Sequence, residues 1–232
     1  MSTTMPIREF SYRGSAYKVS CVESDSYQHP SWFSFVDEDS VRNMFWDVKP
    51  GERILDVGAG FGSYTLTALA VGAAYVWAWS PQAGPDGIPE RNFFADSLAL
   101  NGWSSRCSIF DTGVFDRSGY LNVDDQSLTS EPRSGNDIIR VETLDDWADR
   151  ELRSGERIDW LKLDVEGAEV EVLKGGAEFL RLNMPNVLVE NHVFKRPNVY
   201  AEVKDFLSSS GFREVDTVPY HGVSHSLYVP LG

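Results

Sequence analysis

A glycine-rich turn between a predicted strand and a predicted helix constrains this chain most. Residues 53–57 form a short apolar run that predicts a buried strand, and residues 65–70 predict the start of a helix. The turn between them, residues 58–62, has the spacing G-x-G-x-G and follows Asp56. Glycines let a ligand lie against bare backbone, and the N-terminus of the next helix points at that ligand. The pattern therefore predicts a nucleotide-like cofactor at the carboxyl end of a parallel strand.

The spacing of the three glycines favours one class of cofactor. Dinucleotide-binding chains typically carry G-x-G-x-x-G, whose helix end receives a pyrophosphate. Here the third glycine comes one residue earlier, at Gly62, and the acid Asp56 precedes the turn. S-Adenosylmethionine (SAM) has no pyrophosphate but carries an ammonium and a sulfonium, so an acid beside the glycines suits it. The spacing is typical of SAM enzymes; a tight turn that binds no ligand is the alternative.

Charge and composition argue against several partners. The 232 residues include 21 Lys and Arg against 35 Asp and Glu, which gives a formal net charge of −14. Nucleic acids and anionic membrane surfaces both need a basic face, so we expect neither as a partner. Cys21 and Cys107 have no metal-binding or redox spacing, and no leader or membrane-spanning apolar run is visible. We therefore expect a cytoplasmic protein.

Strand and helix patterns alternate along most of the chain. This alternation predicts an α/β fold with a mostly parallel sheet and helices on both faces. We interpret residues 1–48 as an N-terminal cap on the substrate side, and residues 49–232 as the main domain. The two strands predicted at 212–218 and 226–230 are joined by a short turn, which predicts an antiparallel hairpin. Residues 124–137, rich in Ser, Pro and Gly, predict a mobile loop.

A second motif ends a later predicted strand, residues 158–165. Residues 162–169 read KLDVEGAE. Together with the glycine turn and residues 189–192, this string resembles the FkbM family of SAM-dependent O-methyltransferases, in which K-x-D-V-E-G-A-E ends a strand. The resemblance covers residues 40–230. It implies a Rossmann-like class I methyltransferase fold with a seven-stranded sheet, SAM as cofactor, and methyl transfer to a hydroxyl of a saccharide or another small molecule.

One position departs from the family's pattern. The family usually ends its second strand with a glutamate that holds the ribose hydroxyls of SAM, and Ser80 stands there in this chain. A hydroxyl cannot chelate a diol as a carboxylate does. Either Ser80 holds the ribose weakly, or Asp86 in the following loop supplies the acid, or cofactor binding is lost. The predicted cofactor-binding residues are Asp56, Gly58, Ala59, Gly60, Gly62, Tyr64, Ser80, Asp111, Thr112 and Asp164.

Methyl transfer to an alcohol needs help with removal of the hydroxyl proton, because an unactivated hydroxyl has a high pKa. Asp164 and Glu166 end one predicted strand, and Glu190, Asn191 and His192 end the next. Neighbouring parallel strands present these ends at one edge of the sheet. Oxygens of Asp164, Glu190 and Asn191 suit Mg²⁺, and His192, with Glu166 and Asp164, is the predicted catalytic group. Alternatively, Asp164 and Glu166 only hold SAM or cap the next helix.

Other polar residues are predicted to lie at the surface. A single helix is expected after residue 167, and its Glu169, Glu171 and Lys174 predict a solvated face. His221 and His225 belong to the last hairpin, where we expect a surface loop; the alternative is that they line the acceptor pocket.

Two other functions stay open at this point. A nicotinamide-dependent oxidoreductase would use a similar sheet, although the G-x-G-x-G spacing and the lack of a Tyr-x-x-x-Lys pair argue against it. A non-catalytic methyltransferase-like binding protein would keep the fold without the reaction. The expected partner is a small-molecule hydroxyl acceptor, with a sugar as one candidate, and the sequence does not distinguish a monomer from a homo-oligomer.

Overall fold

The computed structural model of the protein describes residues 7–21, 38–81, 90–124, 127–129 and 138–232. The chain divides into two compact units, with the division between Asp111 and Thr112. The predicted boundary between an N-terminal cap and a main domain, at residues 48 and 49, is a different division and stays a prediction. Within the described ranges, no helix combines the length and the apolar character needed to cross a membrane.

The first unit contains five strands and three α-helices in its described part. In chain order these are β1 (Ile7–Tyr12), β2 (Ser15–Ser20), α1 (Asp39–Phe45), β3 (Arg53–Val57), α2 (Ser63–Ala70), β4 (Tyr75–Trp79), α3 (Glu90–Leu100) and β5 (Cys107–Phe110). β1 and β2 form an antiparallel hairpin, whereas β3, β4 and β5 pair in parallel in that order. The last four residues of β3 are buried, as expected for a parallel strand covered on both faces.

Hydrogen bonds join the N-terminal hairpin to α3. The backbone amide of Ser20 donates to the hydroxyl of Ser97 at 2.9 Å. The side chain of Asn101 accepts from the backbone amide of Lys18 at 2.8 Å and donates to the Lys18 carbonyl at 2.6 Å. Side chains of the helix therefore satisfy backbone groups of β2 that an edge strand would otherwise leave without a protein partner.

The second unit contains eight strands and four α-helices in its described part. These are β6 (Gly113–Val114), β7 (Gly119–Asp124), β8 (Ser127–Thr129), β9 (Ile138–Glu142), α4 (Leu144–Glu151), β10 (Trp160–Leu163), α5 (Glu169–Gly175), α6 (Ala177–Asn183), β11 (Asn186–Asn191), α7 (Val199–Ser209), β12 (Phe212–Tyr220) and β13 (Val223–Pro230). β10 and β11 pair in parallel, β13 pairs antiparallel with β11, and β12 pairs antiparallel with β13. A smaller sheet has the order β6-β9-β7-β8.

The main sheet has the seven strands that the sequence analysis expects. The sheet is mostly parallel, and the antiparallel hairpin of β12 and β13 is its C-terminal part. The α/β class and this hairpin are therefore confirmed.

Three details differ from the sequence predictions. The single helix expected after residue 167 is two helices, because Gly175 ends α5 and Gly176 leaves the helical conformation at ψ 23°. A Cβ on Gly175 would lie 2.1 Å from the carbonyl oxygen of Phe115, so the chain packs too closely there for a side chain. The loop predicted at 124–137 contains β8, which pairs with β7, and the rest of that loop lies outside the described residues. Helix α4 has no counterpart among the predictions.

Candidate functional site

The glycine turn, which we call the glycine loop (residues 58–62), joins β3 to α2 and is closed by backbone hydrogen bonds. The amides of Gly58 and Ala59 both donate to the carbonyl of Trp79, at 3.1 and 2.8 Å. The amide of Gly62 donates to the carbonyl of Ala59 at 2.7 Å. The protein's own hydrogen bonds therefore fix the course of the loop.

Helix α3 packs directly on the glycine loop. A Cβ on Gly62 would lie 2.3 Å from the ring of Phe94, and a Cβ on Gly60 would lie 3.3 Å from Oε2 of Glu90. Both glycines also have positive φ, at +85° and +53°. Sequence reasoning missed Glu90; its position four residues before Phe94, on the same face of a helix, is the signal that could have found it.

Ser80 follows β4 and supports the loop. Its side chain is buried, and its hydroxyl donates to the carbonyl of Gly60 at 3.0 Å. The single hydroxyl proton is therefore used within the protein, and Ser80 can offer a ligand only acceptor lone pairs. Asp86, the acid predicted as an alternative, lies outside the described residues.

Two other predicted cofactor residues hold the elements on either side of the loop. Asp56 is fully buried in β3 and accepts a hydrogen bond from the hydroxyl of Thr65, in α2, at 2.6 Å. The buried ring of Tyr64 packs edge-on against Trp46, with ring centroids 5.3 Å apart, and the guanidinium of Arg42 lies 5.6 Å from its centroid. The first contact joins β3 to α2, and the contacts of Tyr64 join α2 to α1 and to the residue after it; any role toward a cofactor stays a prediction.

Asp111 and Thr112 stand where the two units divide. Asp111 is exposed after β5. Thr112 donates from its hydroxyl to Oε1 of Glu142 at 3.3 Å. Their predicted contact with the adenine of the cofactor stays a prediction.

Four carboxylates surround one histidine in the second unit, a group that we call the His192 cluster (Asp164, Glu166, Glu169, Glu190 and His192). Nε2 of His192 lies 3.6 Å from Oδ1 of Asp164, 3.5 Å from Oε2 of Glu166 and 3.7 Å from Oε1 of Glu190. Nδ1 of the same ring lies 2.7 Å from Oε1 of Glu169. Parallel pairing of β10 with β11 brings these residues together, because both strands end at the same edge.

Glu169 corrects the predicted solvated helix face. It is fully buried, and its Oε1 also accepts from the backbone amide of Gly167 at 3.0 Å. It lies on the same face of α5 as the buried Val172 and Leu173, three and four residues later, which turns it inward. Of the three residues predicted to be solvated, Lys174 is exposed, whereas Glu171 is half-buried and pairs with Arg196.

His225 corrects a second prediction. It is buried, and its Nε2 lies 3.2 Å from Oε2 of Glu190. The reason is that β13 begins at Val223, so His225 lies inside the strand and directly opposite Glu190 in the antiparallel register. His221 is exposed in the turn, as predicted.

Two lysines pair with carboxylates of the cluster. Nζ of the buried Lys162 lies 3.0 Å from Oδ2 of Asp164, and Nζ of Lys195 lies 2.5 Å from Oε2 of Glu166. Burial acts to raise the pKa of Asp164, but the charges of Lys162 and His192 outweigh it and hold the pKa below its usual value. Asp164 is therefore a carboxylate at neutral pH. Glu166 has a φ of +58°, a strained conformation for a residue other than glycine.

The charge state of His192 follows from the groups around its ring. Burial lowers the pKa of His192, but the hydrogen bond to Glu169 and the charges of Asp164 and Glu166 outweigh burial and raise the pKa to about 9. The ring therefore carries a proton near neutral pH when only these residues surround it. A histidine in this state must first lose its proton before it can act as a general base.

Three residues of the cluster could hold a metal ion. Ligand atoms of Asp164, Glu190 and His192 all lie within 4.8 Å of one another. Asn191, a predicted ligand, donates from its amide nitrogen to the carbonyl of Ser224 and to the hydroxyl of Ser226, at 3.0 Å each, and its place in an ion site stays a prediction. Successive residues of a strand point to opposite faces, so Asn191 points away from Glu190. The imidazole of His192 thus stands beside the two predicted carboxylate ligands.

Comparisons with known proteins agree with the fold and the motifs. A family model described as the Methyltransferase FkbM domain matches residues 56–214. The FkbM methyltransferase of Methylobacillus flagellatus KT superposes with a TM-score of 0.59 at 14% identity, over 89% of this chain and 55% of that chain. SMU.776 is described as a candidate methyltransferase and was solved with S-adenosylhomocysteine (SAH). It superposes with a TM-score of 0.56 at 9% identity, over 99% of this chain and 57% of that chain.

A third solved chain, unlike the first two, is matched over nearly its whole length. The yhhF protein of Escherichia coli, a candidate methyltransferase, gives a TM-score of 0.54 at 13% identity, over 97% of this chain and 99% of that one. At such identities the likeness shows the fold, and the present chain spans about half the length of the Methylobacillus protein. No curated protein matches the chain.

Proposed function

Because the chain belongs to the FkbM methyltransferase family, we propose that it is a SAM-dependent O-methyltransferase acting on a hydroxyl of a saccharide or another small molecule. The observation that carries the proposal is the His192 cluster. Transfer of a methyl group to an alcohol oxygen releases a proton, and the reaction needs a group that lowers the pKa of the hydroxyl or accepts that proton. Four carboxylates around one imidazole meet this need.

The glycine loop fits SAM. Gly60 carries no side chain and the carboxylate of Glu90 borders it, whereas Gly62 allows the ring of Phe94 to pack on the loop. Bare backbone of this kind accepts the nucleoside part of SAM. An adjacent acid suits either the ribose hydroxyls or the ammonium of SAM. When bound, SAM supplies the electrophilic methyl group. The loop's own work is to hold and orient the cofactor.

We further propose that Asp164, Glu190 and His192 hold a divalent ion. Two carboxylates suit Mg²⁺, and an imidazole in the set also favours Mn²⁺. When bound, such an ion lowers the pKa of an acceptor hydroxyl. Glu169, at Nδ1 of His192, fixes the ring so that Nε2 faces the carboxylates.

The second route to proton removal uses the cluster without an ion. Glu166 is its most exposed carboxylate, at 33% of its side chain, and it lies beside Nε2 of His192. In this route Glu166 or Asp164 accepts the hydroxyl proton, while His192, whose pKa is raised, keeps its own proton at neutral pH beside them. Activity in a chelator separates the two routes.

An exposed aromatic ring supports a small organic acceptor. Phe194 is 62% exposed, and its ring lies 5.8 Å from the ring of His192 in an edge-on arrangement. A ring held beside the reacting groups offers an apolar face against which a sugar or an aromatic alcohol can lie. This ring supports the choice of acceptor class without selecting one compound.

The test uses the full chain, SAM labelled in its methyl group, and a panel of monosaccharides, nucleotide sugars and small alcohols. We expect label to reach an oxygen of one class, and we expect EDTA to stop transfer until Mg²⁺ or Mn²⁺ is restored. Full activity in EDTA would reject the ion and leave the base group. Calorimetric titrations with SAM and NAD decide the alternatives: binding of NAD alone indicates an oxidoreductase, and SAM binding without any transfer indicates a binding protein.

A further inference from the structure

We propose that Glu90 holds the ribose hydroxyls of the bound SAM and so supplies the carboxylate that the end of β4 lacks. The inference rests on the proposed cofactor and names the residue that grips it. Its basis is the position of one side chain, because Oε2 of Glu90 lies 3.3 Å from where a Cβ on Gly60 would stand.

The packing of α3 explains why Glu90 reaches the loop. Phe93 and Phe94, three and four residues after Glu90, are both buried. The ring of Phe93 lies 5.9 Å from that of Phe61, and Phe94 lies against Gly62. Residues at these spacings share one face of a helix, so the two aromatic anchors fix the first turn of α3 over the loop. Glu90 is the polar member of that face.

Ser80 marks the same place from the neighbouring strand. Its hydroxyl donates to the carbonyl of Gly60, the glycine that Glu90 approaches. A nucleoside bound across a glycine loop at the end of a strand has its ribose beside the end of the next strand, where an acid accepts from the hydroxyls. Here the residue at that strand end is Ser80, whose hydroxyl proton is already used in the hydrogen bond to Gly60. A carboxylate that accepts from both hydroxyls comes instead from the first turn of the following helix.

The experiment is a double-mutant cycle between the protein and the ligand, read by calorimetry without turnover. Wild type and Glu90→Gln are each titrated with SAH and with its 2′-deoxy analogue. Glu90→Gln removes the charge from these hydrogen bonds. We therefore expect SAH to bind the variant roughly tenfold to hundredfold more weakly than wild type. The 2′-deoxy analogue should bind wild type about tenfold more weakly than SAH, and this difference should fall to about twofold or less in the variant.

Asp96→Asn is the matched control, because Asp96 is an exposed acid on the same helix. It should leave all titrations unchanged. If Glu90→Gln unfolds at a lower temperature, Glu90→Asp replaces it, since it keeps the charge and withdraws the carboxylate by one methylene. A 2′-deoxy penalty of equal size in wild type and variant would overturn the assignment, even if SAH itself bound more weakly. If wild type binds neither SAM nor SAH, the proposed function fails instead.

Discussion

The contact between Glu169 and His192 makes the stability of the metal-free protein depend on pH. The pKa of His192 rises from 6.5 in a free side chain to about 9 in the folded protein. At about 1.4 kcal/mol per pKa unit, this rise corresponds to about 3 kcal/mol of stability. Because the folded pKa is the higher one, the contribution is fully present below about pH 6.5 and is lost as the pH rises through about 9.

Glu169→Gln should reduce this dependence. The change removes the charge of the buried carboxylate at 2.7 Å from Nδ1, whereas the burial that lowers the pKa of His192 is unchanged. The pKa of His192 should therefore fall, and the part of the unfolding free energy that is lost between about pH 6 and about pH 9 should shrink to about half or less. The assay is urea unfolding across this range in EDTA, with the histidine NMR signals followed in parallel.

Glu178→Gln is the control for this prediction. Glu178 forms an exposed ion pair with Arg181 on α6, and its pKa is lowered from the usual value, so it does not titrate in this range. It should leave the slope of stability against pH unchanged. Equal slopes in wild type and Glu169→Gln would refute the reasoning, since they would mean that Glu169 does not hold the proton on His192.

Two further predictions concern the ion and the glycine loop. Asp164→Asn should weaken Mn²⁺ binding at least about tenfold in calorimetry, while the exposed Asp205→Asn should leave it unchanged; equal binding by both variants would remove Asp164 from the ion site. Gly62→Ala should lower the urea-unfolding free energy by about 3 kcal/mol, because its Cβ meets the ring of Phe94 at 2.3 Å in addition to the backbone strain. Gly102→Ala, with a φ of +70° and open space around it, carries the strain alone and should cost about 1 kcal/mol; similar losses in both would contradict the packing argument.

The sequence predicts best those strands and helices whose first and last residues are marked by characteristic residue types. β3 has the predicted bounds, residues 53–57, because a buried apolar run is followed at once by the glycine loop. Helix α4 was not predicted because only Leu144 and Trp147 are buried in it, and its remaining residues are mostly charged. Thr143, whose hydroxyl accepts from the amide of Asp146, is the capping signal that could have found it.

The candidate site was predictable in its location and less so in its contacts. The rule that parallel strands end at one edge brings Asp164, Glu190 and His192 together, as the structure shows. The burial of Glu169 and His225 depends on how a helix face and a hairpin pack, which the local sequence does not contain. Both side chains are polar, so composition alone assigns them to the surface.

The hydrogen bonds between the N-terminal hairpin and α3 bear on where this protein can be shortened. The match to the family covers residues 56–214, which on its N-terminal side leaves out β1, β2, α1 and the first residues of β3. Yet Lys18 and Ser20 hold the second half of the helix whose first turn carries Glu90 over the glycine loop. A chain trimmed to the family match would keep every motif residue and lose the support of the helix above them. The segment that relatives share is thus smaller than the segment that must fold together to shape the cofactor loop.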